Sequence, residues 1–142
     1  MILLDANLLI YAYDSVSREH GQARSWLERK FSSVESVGLS WIAILAFLRI
    51  TTSRRYESSP MSTEEAASIV DGWIALPNIV LVSPTERHWR ILSDLLPKSQ
   101  ARGPLIMDAH LAALAIEHGA TLCTNDRDFL RFPGLKVEFP LQ

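Results

Sequence analysis

The sequence predicts a single α/β domain in which helices cover both faces of a central parallel sheet, an α/β/α sandwich. Short apolar segments alternate with segments of helical periodicity along the chain, and this alternation is typical of parallel sheets. The chain has 142 residues, of which 48% are hydrophobic, which is enough for one domain with its own core. No repeat, low-complexity tract or linker divides the chain, so we expect one domain over residues 1–142.

The first part of the chain contains two predicted strands. The apolar run Ile2–Leu4 ends at Asp5 and is typical of a buried strand, and Val37–Leu39 is the second. A helix is predicted from about residue 18 to 31. Ser40 is a candidate N-cap for the next helix. That helix is predicted to carry four large apolar side chains on one face: Trp41, Ile44, Leu45 and Leu48.

The middle of the chain continues the alternation. Residues 54–60 are predicted to form a loop, and the following helix begins at Ser62 and ends before Pro77. The four β-formers Ile79–Val82 predict the clearest strand. A helix from about 85 to 96 follows, and we expect Pro97 to end it.

The last part of the chain is predicted to hold one helix and two strands. After a polar loop over 98–104, an alanine- and leucine-rich helix is predicted from Asp108 to His118, with Gly119 just past its end. Residues 120–124 are predicted as a strand, and a final short strand is predicted over 136–139.

Bulk properties predict the compartment but not the function. No apolar stretch reaches the roughly 18 residues of a membrane span, and no basic segment precedes the first apolar run, so we expect neither a span nor a secretory signal. Cys123 is the only cysteine, which favours a reducing cytoplasm. The net charge of −2 indicates no partner, so a basic nucleic-acid surface would have to be local.

Acidic residues follow or precede the predicted strands in a way that brings them together. Asp5 follows the first strand, Asp126 and Asp128 follow the strand that ends at Thr124, and Asp108 begins the helix before that strand. Ligands of parallel sheets bind at the carboxyl ends of the strands. The sequence therefore predicts that these carboxylates share one edge of the sheet.

Converging carboxylates suit a hard divalent cation, because they repel one another unless a positive charge compensates. Mg²⁺ or Mn²⁺ at such a site supports phosphodiester hydrolysis. The alternative is structural, since a single Asp at a strand end is often only a turn former or a helix cap. Convergence of several acids favours the metal site over that alternative.

Three motifs resemble the PIN-domain family, especially the VapC toxins of VapBC toxin–antitoxin pairs. They are Leu3-Leu4-Asp5-Ala6-Asn7-Leu8-Leu9, Met107-Asp108-Ala109-His110-Leu111-Ala112-Ala113-Leu114-Ala115 and Thr124-Asn125-Asp126-Arg127-Asp128-Phe129. Together they span nearly the whole chain in the order of the family. The resemblance implies a PIN-like sandwich, a Mg²⁺- or Mn²⁺-dependent endoribonuclease, a homodimer and inhibition by a cognate antitoxin protein. It also implies that Asp5, Asp108 and Asp126 are catalytic metal ligands.

One position departs from the family pattern. The resemblance places a Glu about six residues after Ser40, and here that position is Ala46, with no acid between Glu35 and Glu57. Loss of one carboxylate should weaken metal binding and disturb the attacking water. Two explanations are open: Ala46 is natural and the nuclease is weak or silent, or it replaces a Glu deliberately, because an active toxin harms its host. The otherwise intact motifs favour the second.

Several neighbouring residues have two possible roles. Asn7 supports the metal site in the family pattern but is equally compatible with a helix-start cap. Ser40 is better explained as a cap than as a site residue. The resemblance favours a site role for Thr124 over a simple strand end, and Asp128 is an outer metal ligand or a cap.

Among basic residues, Arg49 lies one helical turn after Ala46 and could contact an RNA phosphate or an antitoxin, although a solvated surface role is the more common one. Four histidines lie on different helices without metal-ligand or triad spacing, so we predict structural or exposed roles for all of them. They are His20, His88, His110 and His118. Only His110, two residues after Asp108, lies near the candidate site.

Two other classes of function are alternatives: a phospho-accepting signalling domain and a non-catalytic binding module. A phospho-accepting signalling domain needs a lysine after a late strand, and Lys136 lies outside any suitable motif. A non-catalytic module that binds RNA or an antitoxin-like partner is the main alternative, and Ala46 is its best support. Neither a dinucleotide-binding motif nor a P-loop is present.

Overall fold

The chain folds around one sheet of five strands that all run parallel. We describe it from a computed structural model that covers residues 1–142. The strands are β1 (Ile2–Leu4), β2 (Val37–Ser40), β3 (Ile79–Val82), β4 (Thr121–Cys123) and β5 (Lys136–Glu138). Their order is β3-β2-β1-β4-β5, so the chain starts in the middle of the sheet and extends it first to one side and then to the other. All five predicted strands are present.

Six α-helices and one 3₁₀ helix connect the strands. None of the helices has the length and apolar character that crossing a membrane requires. The α-helices are α1 (Ala6–Tyr13), α2 (His20–Phe31), α3 (Trp41–Thr51), α4 (Thr63–Ile74), α5 (His88–Ser99) and α6 (Leu105–Glu117), and the 3₁₀ helix is Arg127–Arg131.

The sheet has a separate hydrophobic core on each face, because successive side chains of a strand point to opposite faces. In β1, Ile2 and Leu4 pack with residues of α1 to α4. Leu3 packs on the other face with residues of α5, α6 and the 3₁₀ helix. This is the predicted α/β/α sandwich.

The helix α1 was not predicted. Its N-cap is Asp5, whose Oδ1 accepts a hydrogen bond from the backbone N–H of Ala6 at 2.7 Å. The strand therefore passes into the helix through a single residue, and that residue is also a candidate ligand. The sequence contains the signal for this helix, an Asp before an apolar segment, and the cap role was the structural alternative for that Asp.

Two predicted helix boundaries were wrong. Pro97 does not end α5, which continues to Ser99 and stops at Gln100 in the left-handed conformation (φ 56°). The buried Leu95 and Ser99 hold this last turn in the core, and Ser99 Oγ donates to the carbonyl of Leu95 at 2.8 Å. This packing outweighs the helical hydrogen bond that proline cannot make. The helix α6 begins at Leu105, so the predicted start at Asp108 was also late.

The predicted apolar face of α3 was only partly right. Ile44 is buried, but Trp41 and Leu45 are 50% and 59% exposed. The buried face instead contains Ala43, Ile44, Phe47 and Thr51. Helical periodicity in an almost wholly apolar segment does not distinguish one face from the next, and the packing of α3 against α1 and α4 decides it.

Candidate active site

The site is centred on Asp5, where β1 meets α1. Its Oδ1 caps the helix, and its Oδ2 accepts hydrogen bonds from Thr124 Oγ1 at 2.6 Å and from Asn7 Nδ2 at 3.1 Å. Burial raises the pKa of Asp5, the hydrogen bonds from Thr124 and Ala6 oppose that rise, and the charge of Asp126 adds to it. The negative charge is therefore held in place but poorly solvated.

Thr124 joins Asp5 to the segment that follows β4. Its hydroxyl, which is fully buried, donates to Asp5 and accepts from the backbone N–H of Asp126 at 3.0 Å and from Asn7 Nδ2 at 3.2 Å. Asn7 Oδ1 in turn accepts from the backbone N–H of Asn125 at 3.3 Å. Asn7 thus links the end of β1 to the segment after β4. It is not the cap of α1, since that cap is Asp5.

Asp108, in the first turn of α6, lies close enough to the other acids for their charges to act on it. Its pKa is raised to about 6, mainly by burial and also by the negative charges of Asp5, Asp126 and Asp128, and Arg131 partly opposes this rise. The expected convergence of carboxylates from three segments is therefore present. Crowded acids with a disfavoured negative charge are a suitable environment for a divalent cation.

No three His, Cys, Asp or Glu side chains form a ready-made metal-binding group. Asp126 caps the 3₁₀ helix by accepting from the backbone N–H of Asp128 at 2.9 Å, and the Asp128 side chain is exposed. The oxygen donors are of the type that Mg²⁺ and Mn²⁺ prefer. These residues fit such an ion by the chemistry and charge of their donors, and binding would require the carboxylates to move closer together.

A cavity of about 730 Å³ opens beside the acids. Asp5 and Asp108 line one part of it, and Arg49 and His110 are its other polar side chains. Most of the remaining wall is apolar and comes from α3, α5 and α6, including Ile42, Leu45, Leu92, Ile106 and Met107. The site thus combines a small charged region with a larger apolar surface, as ligand pockets commonly do.

Ala46 and Arg49 both line this cavity from α3. Ala46 therefore faces the acidic site from the predicted side, with a methyl group where the family pattern has a carboxylate. Arg49 is exposed, forms no ion pair with a carboxylate, and lies with its guanidinium carbon 5.9 Å from the ring centre of Tyr56. Its charge is available to a ligand in the cavity.

Ser40 is separate from the cavity. Its hydroxyl is buried and accepts from the backbone N–H of Ala43 at 3.2 Å, so it is the N-cap of α3. The preference for a cap role over a site role agrees with this geometry.

Two of the histidines, for which structural or exposed roles on different helices were predicted, contact each other. His88 on α5 and His110 on α6 are hydrogen-bonded, Nε2 to Nδ1, at 3.0 Å. His88 Nδ1 is also bonded to the fully buried carboxylate of Glu117, which accepts from the backbone N–H of Thr85 as well. Burial lowers the pKa of His110, as does the neighbouring His88. No sequence spacing indicated this group, because its members lie 22 and 29 residues apart.

The fold and site define an α/β domain with acidic side chains gathered at the carboxyl ends of its central strands. A family model described as PIN domain matches residues 2–135. The chain is 40% identical to ribonuclease VapC37 of Mycobacterium tuberculosis over 140 residues, covering 99% of this chain and 97% of that protein. It is 39% identical to ribonuclease VapC43 of the same species over 141 residues, with 99% and 96% covered. The chain belongs to the PIN-domain family and is related to its VapC ribonucleases.

Solved structures agree on the fold. The structure of VapBC2 from Rickettsia felis bound to a promoter DNA fragment aligns with a TM-score of 0.67 at 22% identity, covering 97% of this chain and 98% of that one. The structure of Mycobacterium tuberculosis VapC20, described as a toxin that cleaves the sarcin–ricin loop, aligns with a TM-score of 0.65 at 17% identity, with 96% and 99% covered.

Proposed function

We propose that this chain is the toxin component of a type II toxin–antitoxin system and a Mg²⁺- or Mn²⁺-dependent endoribonuclease. The observation that carries the proposal is the convergence of Asp5, Asp108 and Asp126 on one site. Asp5 and Asp108 line the same cavity, and hydrogen bonds through Thr124 join Asp5 to Asp126. Its relatives at about 40% identity are named ribonucleases, which supports RNA as the substrate.

Each acid has a proposed role. Asp5, Asp108 and Asp126 would hold the ion, with Asp128 assisting from the exposed side. A bound Mg²⁺ or Mn²⁺ supplies activation of a water molecule and charge stabilisation of the leaving oxygen. Thr124 and Asn7 fix the orientation of the Asp5 carboxylate by donating to its Oδ2.

The substrate would be single-stranded or looped RNA, in which bases and phosphates are accessible. Arg49 lines the cavity without a carboxylate partner, so its guanidinium can pair with a phosphate oxygen near the acids. The same side chain is a candidate contact for an antitoxin. Solved VapBC complexes share this fold, which supports a cognate antitoxin as partner, and a homodimer stays a prediction.

We further propose that Ala46 weakens or abolishes catalysis. Because Ala46 lines the cavity together with Asp5 and Asp108, a Glu at this position would add a fourth carboxylate to the same site. Without it, the ion would be bound less tightly and the attacking water oriented less well. The alternative proposal is a catalytically silent PIN-fold module that binds RNA or an antitoxin-like partner, and Ala46 is the observation that favours it.

The test is RNA cleavage by this chain and by its Ala46→Glu variant, with Mg²⁺ or Mn²⁺ and with EDTA. We expect little or no cleavage by the unaltered chain and metal-dependent cleavage by the variant, with a rate at least about tenfold higher. Adding Asp5→Asn to the Ala46→Glu variant is the control and should remove the activity. If all forms are inactive on total cellular RNA, the binding module becomes the better proposal.

A further inference from the structure

The Glu117–His88–His110 group connects a buried carboxylate to the candidate site. The side chain of Glu117 is fully buried, and its carboxylate accepts a hydrogen bond from the backbone N–H of Thr85. The chain of hydrogen bonds then passes through His88 and ends at His110, which lines the cavity beside Asp108. The two rings meet edge to face, with centroids 4.8 Å apart and planes at 72°.

When both imidazole rings are neutral, the order of donors and acceptors in this group is determined by Glu117. An ionised carboxylate only accepts, so His88 Nδ1 carries a proton and donates to it. With both rings neutral, His88 Nε2 then has a lone pair and accepts from His110 Nδ1. His110 Nε2 is consequently left without a proton and is a hydrogen-bond acceptor.

This acceptor is free. His110 Nε2 has no partner within the chain, and the only buried side-chain atom without a partner is Asn78 Oδ1, so Nε2 is open to solvent. Among the side chains that line the cavity, Arg49 only donates and most others are apolar. Apart from Asp5 and Asp108, which the metal would occupy, His110 is the one side-chain acceptor there.

Metal-assisted hydrolysis of a phosphodiester by water does not use the ribose 2′-hydroxyl. The chemistry proposed above would therefore act on DNA as well as on RNA, unless a protein group recognises that hydroxyl. We propose that His110 Nε2 accepts a hydrogen bond from a ribose 2′-hydroxyl of the substrate, and that Glu117 and His88 are positioning residues that keep Nε2 in the acceptor form. This inference rests on the proposed ribonuclease function, which supplies the RNA substrate.

The proton positions are testable without any ligand, by ¹⁵N NMR of protein labelled in its histidines. At neutral pH we expect His110 to carry its proton on Nδ1. In Glu117→Gln, the amide oxygen must accept from the backbone N–H of Thr85, so the amide nitrogen faces His88 and donates to its Nδ1. His88 then carries its proton on Nε2 and donates to His110 Nδ1. The His110 proton therefore moves to Nε2. A proton on Nε2 of His110 in the unaltered chain would overturn the proposal.

Recognition is tested by fluorescence anisotropy with three short random-sequence pools: RNA, its 2′-deoxy form and its 2′-fluoro form. Ca²⁺ is the only divalent cation, so that binding is read apart from cleavage. We expect the RNA pool to bind about three- to tenfold more tightly than either analogue, since fluorine cannot donate. This comparison needs no variant, and equal binding of the three pools, or none, would contradict the proposal.

The variant His110→Phe should reduce RNA binding to the level of the 2′-deoxy pool and leave the binding of that pool unchanged. His118→Phe is the matched control, because His118 bonds to the carbonyl of Ser83 and does not line the cavity. It should keep the preference for RNA. If His110→Phe still binds RNA more tightly than the 2′-deoxy pool, His110 is not the group that recognises the 2′-hydroxyl. If the preference for RNA depends on His110 but no RNA is cleaved, the role of His110 stands and only the proposed nuclease activity is refuted.

Discussion

At the scale of single residues, Thr124 connects three groups of the candidate site through one hydroxyl. Its buried hydroxyl serves Asp5, Asn7 and the backbone of Asp126 at once. A Thr124→Val substitution keeps the shape but removes one hydrogen bond from each of these three groups. We expect the free energy of unfolding to fall by about 1–3 kcal/mol, measured by urea denaturation. Thr124→Ser, which keeps the hydroxyl, should recover most of the loss, and a Val variant as stable as the unaltered chain would contradict this role.

A second residue, Glu117, should make stability depend on pH. Burial tends to raise its pKa, but hydrogen bonds from Thr85 and His88 outweigh burial and lower the pKa below the ordinary value of 4.5. When the pKa of a carboxyl group is lower in the folded state than in the unfolded state, the ionised group stabilises the fold at any pH above its unfolded-state pKa. That stabilisation is lost as the pH falls through the folded-state pKa. Glu117→Gln should therefore be destabilised near neutral pH, and its deficit should shrink as the pH falls below 4.5.

The measurement is the denaturant midpoint of Glu117→Gln and of the unaltered chain at neutral and acidic pH. Glu64→Gln, at an exposed position of α4, is the control and should show no such change. A deficit of the same size at both pH values would mean that the charge of Glu117 contributes nothing to stability.

The sequence predicted the acids of the site but not the histidine group. Asp5 and Asp126 were predictable because each follows a strand, and the carboxyl ends of parallel strands share one edge of a sheet. Asp108 was predictable because it lies in the first turn of the helix that precedes β4. Their assignment as metal ligands stays a prediction. His88, His110 and Glu117 meet only because α5 packs on α6, and neither helix carries a pattern that sets this contact.

At the scale of elements, Gly38 shows how closely β2 is packed. A Cβ atom there would lie 2.8 Å from Val82 Cγ2 on the neighbouring β3, 3.2 Å from Leu3 Cδ1 and 3.3 Å from the carbonyl oxygen of Ile2. Gly38→Ala must displace at least one of these groups. We expect a loss of about 1–3 kcal/mol in the free energy of unfolding.

Gly72→Ala is the matched control, because Gly72 is exposed within α4 and a Cβ there would have no neighbour within 4 Å. It should stabilise the protein by about 0.5–1 kcal/mol, so the two substitutions should shift the unfolding midpoint in opposite directions. If Gly38→Ala were neutral or stabilising, the close packing of β2 against β1 and β3 would be wrong.

The elements also differ in how far the sequence determined them. The strands β1 to β4 were predictable, since each is a short, mainly apolar segment next to turn or cap residues, whereas β5 contains only one apolar residue, Val137. The bounds of α5 and the buried face of α3 were not predictable, because packing against other elements decides them. Ser99 is buried beyond Pro97, and α3 packs against α1 and α4. Local signals therefore predicted the existence of most elements, and tertiary contacts set their limits.

At the scale of the whole molecule, the sandwich brings distant parts of the chain to one site. Asp5 lies at the end of the first strand, Asp126 follows the fourth, and Asp108 comes from the second of the two helices between the third and fourth strands. These segments are adjacent only because β1 pairs with β4 in the middle of the sheet. A cation that binds all three acids would therefore bind the folded state and not the unfolded chain.

This dependence predicts that Mn²⁺ raises the unfolding temperature. A ligand that binds only the native state at about a hundred times its Kd stabilises it by about 2.7 kcal/mol. Asp5→Asn should remove most of the shift, whereas Asp71→Asn, at an exposed position of α4, should keep it. Differential scanning fluorimetry with Mn²⁺ and with EDTA measures both variants. Because Asn retains most of the shape of Asp5, loss of the shift would be due to the missing charge, and a shift that persists in Asp5→Asn would rule out Asp5 as a metal ligand.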